Sequence, residues 1–236
     1  MSTEIFHKDN LDMVLKELAK EYKKLGGKAM PAELILIGGA AVIENYGFRD
    51  MTTDIDAVIE AASVWKDAAN RVGDRLNLPN GWLNDDFKKT ESYSRHLSEV
   101  SVFYKTFSGV LNVRTISAEY LIAMKLKAGR KYKNDLSDVV GILAEHKKNG
   151  DALTYEKIDA AMTRLYGGWE AVPADSITFI RDLLERGDYE AIYQDIRENE
   201  QQAKDLLIDF AEKYPGAAHT ENADSILEAL RAKREK

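Results

Sequence analysis

The stretch Leu36-Ile37-Gly38-Gly39-Ala40-Ala41, followed by Arg49 and then by Thr53-Asp54-Ile55-Asp56, decides the fold. Glu33 to Ile37 is a short apolar run that ends on glycine, the pattern of a buried strand. Ala40 to Tyr46 reads as a short helix that stops near Gly47, and Asp54 to Ile59 as a half-buried strand. Two carboxylates at i and i+2 on a strand leave it on one side. Like charges that close repel, and a divalent ion held by oxygen ligands relieves the repulsion. Glycine lets the backbone approach a phosphate, and a helix start offers it free N–H groups. Taken singly, a diglycine is usually a turn and Asp-x-Asp usually a solvated or capping pair. Their order on a strand–helix–strand frame points instead to a metal-chelated triphosphate.

Outward from that block, the apolar spacing of Leu11, Val14, Leu15, Leu18 and Tyr22 predicts a helix over Asn10–Leu25 with Asn10 as N-cap. Ser63 to Leu76 predicts another, capped by Ser63. Leu78 to Tyr93 is turn-rich. Glu99–Thr106 and Val110–Ile116 read as strands joined at Ser108-Gly109, followed by helices over Ala118–Ala128, with Ser117 as cap, and Asp135–Lys147. Beyond Gly150 strand signals vanish, and helices are expected at 155–165, 175–185, 189–196, 203–214 and 222–234. The acidic run from Glu185 to Glu200 reads as a solvated helix face. The expected class is α/β (α+β), a small mixed sheet flanked by helices, with an α/β domain over 1–150 and an all-helical region over 151–236.

At 236 residues, 44% hydrophobic and 31% charged, the chain is long enough to bury a core without staples. It has no cysteine, so thiolate and disulfide chemistry are excluded, and its four scattered histidines disfavour zinc. The longest apolar run, near Leu34–Ile43, is too short to span a bilayer, and the polar residues 1–10 do not resemble a signal peptide, so no membrane association and a cytoplasmic location are expected. A net charge of −7 argues against broad electrostatic binding to nucleic acid. A local basic stretch nevertheless holds Lys125, Lys127, Arg130, Lys131 and Lys133.

Gly-Gly, a helix, then Asp-x-Asp resembles the signature of the DNA polymerase beta-like nucleotidyltransferase superfamily. The fuller string, through Tyr46-Gly47, Arg49 and Thr53-Asp54-Ile55-Asp56, is similar to its AbiEii-type branch of toxin-like and uncharacterised minimal nucleotidyltransferases. Ser117 to Arg130, then Asp135-Leu136-Ser137-Asp138, resembles that branch's lysine-bearing helix and following Asp-x-x-Asp, although Arg130 falls two residues early. The resemblance covers about residues 30 to 146. It implies a nucleotidyltransferase-type sheet, Asp54 and Asp56 as ligands of Mg2+ (or Mn2+), and Gly38, Gly39, Ala40, Arg49 and Thr53 around a nucleoside triphosphate (NTP). It also implies Lys125 and Arg130 near the phosphates, with Asp135 and Asp138 orienting them. The acceptor it implies is a hydroxyl of a tRNA, protein or small molecule, and the partner an antitoxin protein. The superfamily's third carboxylate has no clean counterpart. Glu99 is the candidate for that catalytic role, with Ser101, Asn112, Asp85 and Asp86 as alternatives. A degenerate module that binds nucleotide without turnover is the rival reading.

Overall fold

The computed structural model describes residues 6–219 and 222–234. The chain forms two compact units: residues 1–124 with 158–168, and residues 125–157 with 169–236.

The first unit is built on a five-stranded mixed sheet of order β3-β2-β1-β5-β4, whose strands are β1 (Ala32–Leu36), β2 (Ile55–Glu60), β3 (Leu83–Asn84), β4 (Ser101–Phe107) and β5 (Leu111–Ile116). β1 is central, antiparallel to β2 and parallel to β5, with Leu36 beside Ala57 and Ala32 beside Leu111. Leu34, Ile35, Leu36 and Ile37 are all buried, as an inner strand covered on both faces requires. α1 (Lys8–Lys24) packs on α3 (Trp65–Leu76), and α2 (Gly38–Asn45) lies against β2 and β5. β4 is an edge strand that exposes Val102 and Phe103, and its register shifts between Phe103 and Lys105. The unit also contains α4 (Leu97–Val100) and most of α7 (Tyr155–Tyr166), whose Tyr166 hydroxyl donates to Ser92 O at 2.7 Å.

The mixed sheet, its flanking helices and the helical C-terminal part agree with the expected class. Several details differ. α1 starts before Asn10, whose side chain instead accepts from the His7 N–H. α3 starts at Trp65 after Val64, and no side chain, Ser63 included, caps it. The turn-rich segment conceals β3, which pairs with β2 in parallel and brings Asn84 beside Asp56. A two-residue strand is too short to leave a periodic signal.

The second unit is helical, with α6 (Asp135–Lys148), α8 (Ala174–Arg186), α9 (Tyr189–Lys213), α10 (Ala223–Arg234) and the C-terminal end of α5 (Ala118–Ala128). The two helices expected over 189–214 are one, because the polar run from Arg197 to Gln202 continues the helix with most of its residues facing solvent. Glu200 is the exception. It is buried, and its Oε1 accepts the N–H groups of Leu136 (2.9 Å) and Ser137 (3.3 Å). The first N–H groups of a helix need outside acceptors. The α6 N-cap, Asn134, provides no side-chain bond, so α9 supplies the cap. Reading Glu200 as solvated is therefore corrected.

Burial pushes the Glu200 carboxyl up to about 7, against the pull of Ser137 and of the Leu136 N–H, with Asp138 adding repulsion. An acid whose folded value is raised stabilises fully below its unfolded value of about 4.5 and loses that contribution as pH rises through about 7. Wild type is therefore expected to lose up to about 3 kcal/mol between pH 4.5 and 7.5 relative to Glu200→Gln. Urea unfolding across that range measures it; parallel curves for the two proteins would refute it.

Candidate functional site

The diglycine turn and the acid-bearing strand meet at the C-terminal end of β1. Ile37 N–H donates to Asp56 O at 3.0 Å, which fixes β2 against the strand end. Gly38 follows with φ +56°, a conformation that side chains resist. A Cβ at Gly38 would lie 3.3 Å from Asp56 Oδ2, so the Asp56 carboxylate faces the turn. At Gly39 a Cβ would lie 2.5 Å from Thr52 Oγ1 and 2.8 Å from Arg49 Nη2. Only glycine permits that approach without a shift. Gly38, Gly39 and Ala40 form the first turn of α2, whose leading N–H groups have no partner within the helix.

Asp54 lies one residue before β2, and Asp56 within it. Both are half-buried and alternate with the fully buried Ile55 and Ala57. Thr53, exposed, donates from its hydroxyl to Asp54 Oδ1 at 3.4 Å. Arg49 Nε donates to Met51 O at 3.1 Å, holding the guanidinium along its own loop. Arg49, Thr52 and Asp56 thus converge on the diglycine, with Thr53 and Asp54 next in the chain.

Thr52 gives little sequence signal, but the structure buries it against Gly39. Its backbone pairs with Phe6 in an isolated antiparallel bridge, Phe6 N to Thr52 O at 2.7 Å and Thr52 N to Phe6 O at 2.9 Å. Trp82 is a core residue; its indole N–H donates to Ala69 O and its carbonyl accepts Ile55 N–H at 2.7 Å.

Glu99 lies in α4, just before β4, and is ion-paired with Arg164 and close to the His96 ring. β1 and β5 stand between β2 and β4, a spacing of about 14 Å at ~4.8 Å per strand. Ser101 receives the Arg114 guanidinium and Asn112 the Thr106 hydroxyl. Asp85 and Asp86 follow β3 and pair with Lys88 and Lys89. Among the described residues, no three His, Asp or Glu side chains gather into a group able to hold a metal ion.

Lys125 and Arg130 belong to the helical unit. Lys125 Nζ lies 3.0 Å from Asp135 Oδ1 and 2.7 Å from Asp138 Oδ2, and Arg130 Nε lies 2.8 Å from Asp135 Oδ2. Asp135, with no exposed surface, would have its pKa raised by burial, but Lys125 and Arg130 outweigh that and hold it down to about 2. Lys125 is thus ion-paired with both acids and Arg130 with Asp135.

Among the described residues no helix is long and apolar enough to cross a membrane. A family model described as "nucleotidyltransferase of unknown function (DUF6036)" matches residues 13–147, more than half of the chain. No curated protein and no solved structure matches it.

Proposed function

Because the chain belongs to this family of nucleotidyltransferases of unknown function, we propose that it binds a Mg2+-bound NTP at the start of α2 and transfers the nucleotidyl group to a hydroxyl acceptor. The observation that carries the reading is the Asp56 carboxylate, whose Oδ2 would lie 3.3 Å from a Cβ on Gly38. An acid beside a phosphate-type cradle needs a cation between them.

The donor set fits magnesium or manganese: two carboxylates of hard oxygen, to be completed by phosphate oxygens and water. Bound there through Asp54 and Asp56, the ion supplies charge neutralisation and polarises the phosphoryl oxygens. The chain does the rest by positioning. The N–H groups of Gly38, Gly39 and Ala40 receive the β- and γ-phosphates. Arg49 and Thr53 flank the phosphates from the loop before β2. The acceptor oxygen bonds to the α-phosphorus as the bond to the bridging oxygen breaks, pyrophosphate leaves, and the acceptor proton passes to a base. Glu99 is the acid that the family resemblance proposes for that base; it lies three strands from the acid pair and is ion-paired with Arg164, so the proton would reach it only by way of the acceptor or of water. Lys125 and Arg130 enter through the family resemblance as the cationic pair for the polyphosphate. The AbiEii-type likeness supplies the acceptor classes (a tRNA end, a protein hydroxyl or a small molecule), an antitoxin protein as partner, and the cytoplasm as location.

Calorimetry with ATP, GTP, CTP and UTP, each with and without magnesium, tests the reading. At least one nucleotide is expected to bind in a magnesium-dependent way. Gly39→Ala, whose Cβ collides with Thr52 and Arg49, is expected to weaken it by about tenfold or more, a loss of roughly 1.4 kcal/mol. If wild type binds none of the four, the reading fails.

A second reading is a nucleotide-binding module without turnover. It is favoured by the lack, among the described residues, of a third acid gathered with the pair and by the commitment of Glu99 to Arg164. Tight binding with no transfer to any acceptor selects it.

A further inference from the structure

We propose that Phe6 and His7 form a positioning strap for the nucleotide site, holding the loop that carries Arg49, Thr53 and Asp54 in register with the diglycine turn. The proposal rests on the site reading above. Between the end of α2 at Asn45 and the start of β2 at Ile55, the chain has no helix and no strand, only the bridge at Thr52. A loop of that length, left to itself, samples many conformations. A metal ligand at its end would then be ordered only on binding, at a cost in affinity.

The two residues before α1 restrict that freedom through two contacts with the loop and are themselves anchored by a third. The first is the closed pair of backbone bonds between Phe6 and Thr52, at 2.7 and 2.9 Å. The second joins His7 Nδ1 and Asp50 O at 2.9 Å. A carbonyl only accepts, so the ring must carry its proton on Nδ1. The third is the buried Phe6 ring, 6.0 Å from the Trp82 ring at an interplanar angle of 35°.

Those contacts reach the site by two short routes. Through Thr52 the strap abuts Gly39, where Thr52 Oγ1 occupies the space a Cβ would take. Through Trp82 it reaches Ile55, the residue between Asp54 and Asp56, whose N–H donates to Trp82 O at 2.7 Å. The strap itself cannot drift, because α1 begins at Lys8, and Lys8 Nζ donates to Glu44 O near the end of α2 at 3.0 Å. One dipeptide therefore touches the segment before the acids, the partner of the strand that bears them, and, through Thr52, the glycine turn. Side chains that set such geometry without touching substrate act through pre-organisation.

The test uses the full chain, Mn2+ and whichever nucleotide wild type binds most tightly. Binding is measured by calorimetry and by the Mn2+ electron paramagnetic resonance signal, and folding by thermal melting of the same samples. His7→Leu removes the ring donor. His7→Asn keeps a side-chain N–H close to the Nδ1 position. The expected result is about fivefold weaker Mn2+–nucleotide binding for His7→Leu with little change in melting, and recovery to within about twofold of wild type for His7→Asn. Equal binding by wild type and His7→Leu overturns the strap and leaves the site reading intact. Equal weakening by Leu and Asn also overturns it, because the donor would then be irrelevant. If His7→Leu fails to fold, Phe6→Leu decides. It keeps both backbone bonds and most of the buried volume but loses the ring contact with Trp82, and wild-type affinity in that variant overturns the proposal. Absence of binding by wild type itself would instead refute the nucleotide site.

Discussion

Asp54→Ala combined with Asp56→Ala is expected to lower transfer of radiolabel from an α-labelled NTP by about 10^3-fold or more. Asp54 and Asp56 stand two residues apart at the start of β2, and the Asp56 carboxylate faces Gly38. A metal ion at a phosphoryl centre contributes several kcal/mol of charge stabilisation, and each 1.36 kcal/mol is about tenfold in rate. Without the pair, nothing described at that strand end can hold the cation against the triphosphate. Asn substitutions at the same positions keep the volume and lose the charge, so they should fall nearly as far. The fold should survive, since both residues are half-buried at the rim while Ile55 and Ala57 fill the core between them. Labelling at the wild-type rate by the double variant would sink the site assignment.

Lys125→Met is expected to cost about 3–5 kcal/mol of stability at pH 7. Lys125 is buried with its ammonium shared between Asp135 and Asp138, both also buried. Removing it takes the ammonium away from two buried carboxylates, while Asp135 keeps its pair with Arg130. The pH dependence follows from Asp135. Its folded value is lowered to about 2 from an ordinary 3.8, so its contribution is present above about 3.8 and is lost as pH falls toward 2. That acid window does not overlap the 4.5 to 7 window of Glu200, so urea titrations across pH separate the two groups. A Lys125→Met protein within about 1 kcal/mol of wild type would show that the helical unit does not depend on the network.

The strand–diglycine–helix–strand block was legible because each of its signals is local: an apolar run, two glycines, and acids alternating with Ile55 and Ala57. The pairing of Lys125 and Arg130 with Asp135 and Asp138 was legible too, from a second short block. What escaped the sequence was long-range. Thr52 matters because it fills the space beside Gly39, and Phe6 because it bridges to Thr52, contacts that no periodicity encodes. Asn84 reaches Asp56 through a strand of two residues. Glu200 was misread for the same reason: an acid in an acidic helix reads as solvated until the helix N-terminus it caps is known. Glu99 falls in α4, outside the strand assigned to it, because a short helical turn and a strand start share the same few polar residues.

The parallel pairing of β1 with β5 also bears on synthesis. β1 and β2 can meet as soon as residue 60 has left the ribosome, since only α2 and one loop lie between them. The other flank of β1 stays open until β5, ending at Ile116, has emerged, because parallel neighbours need a long crossover. Over that interval the nascent chain exposes the hydrogen-bonding rim of its most apolar strand, a template for pairing with other chains. Slowing elongation between residues 60 and 116 should therefore increase aggregation of this protein, whereas a pause placed after residue 116 should not.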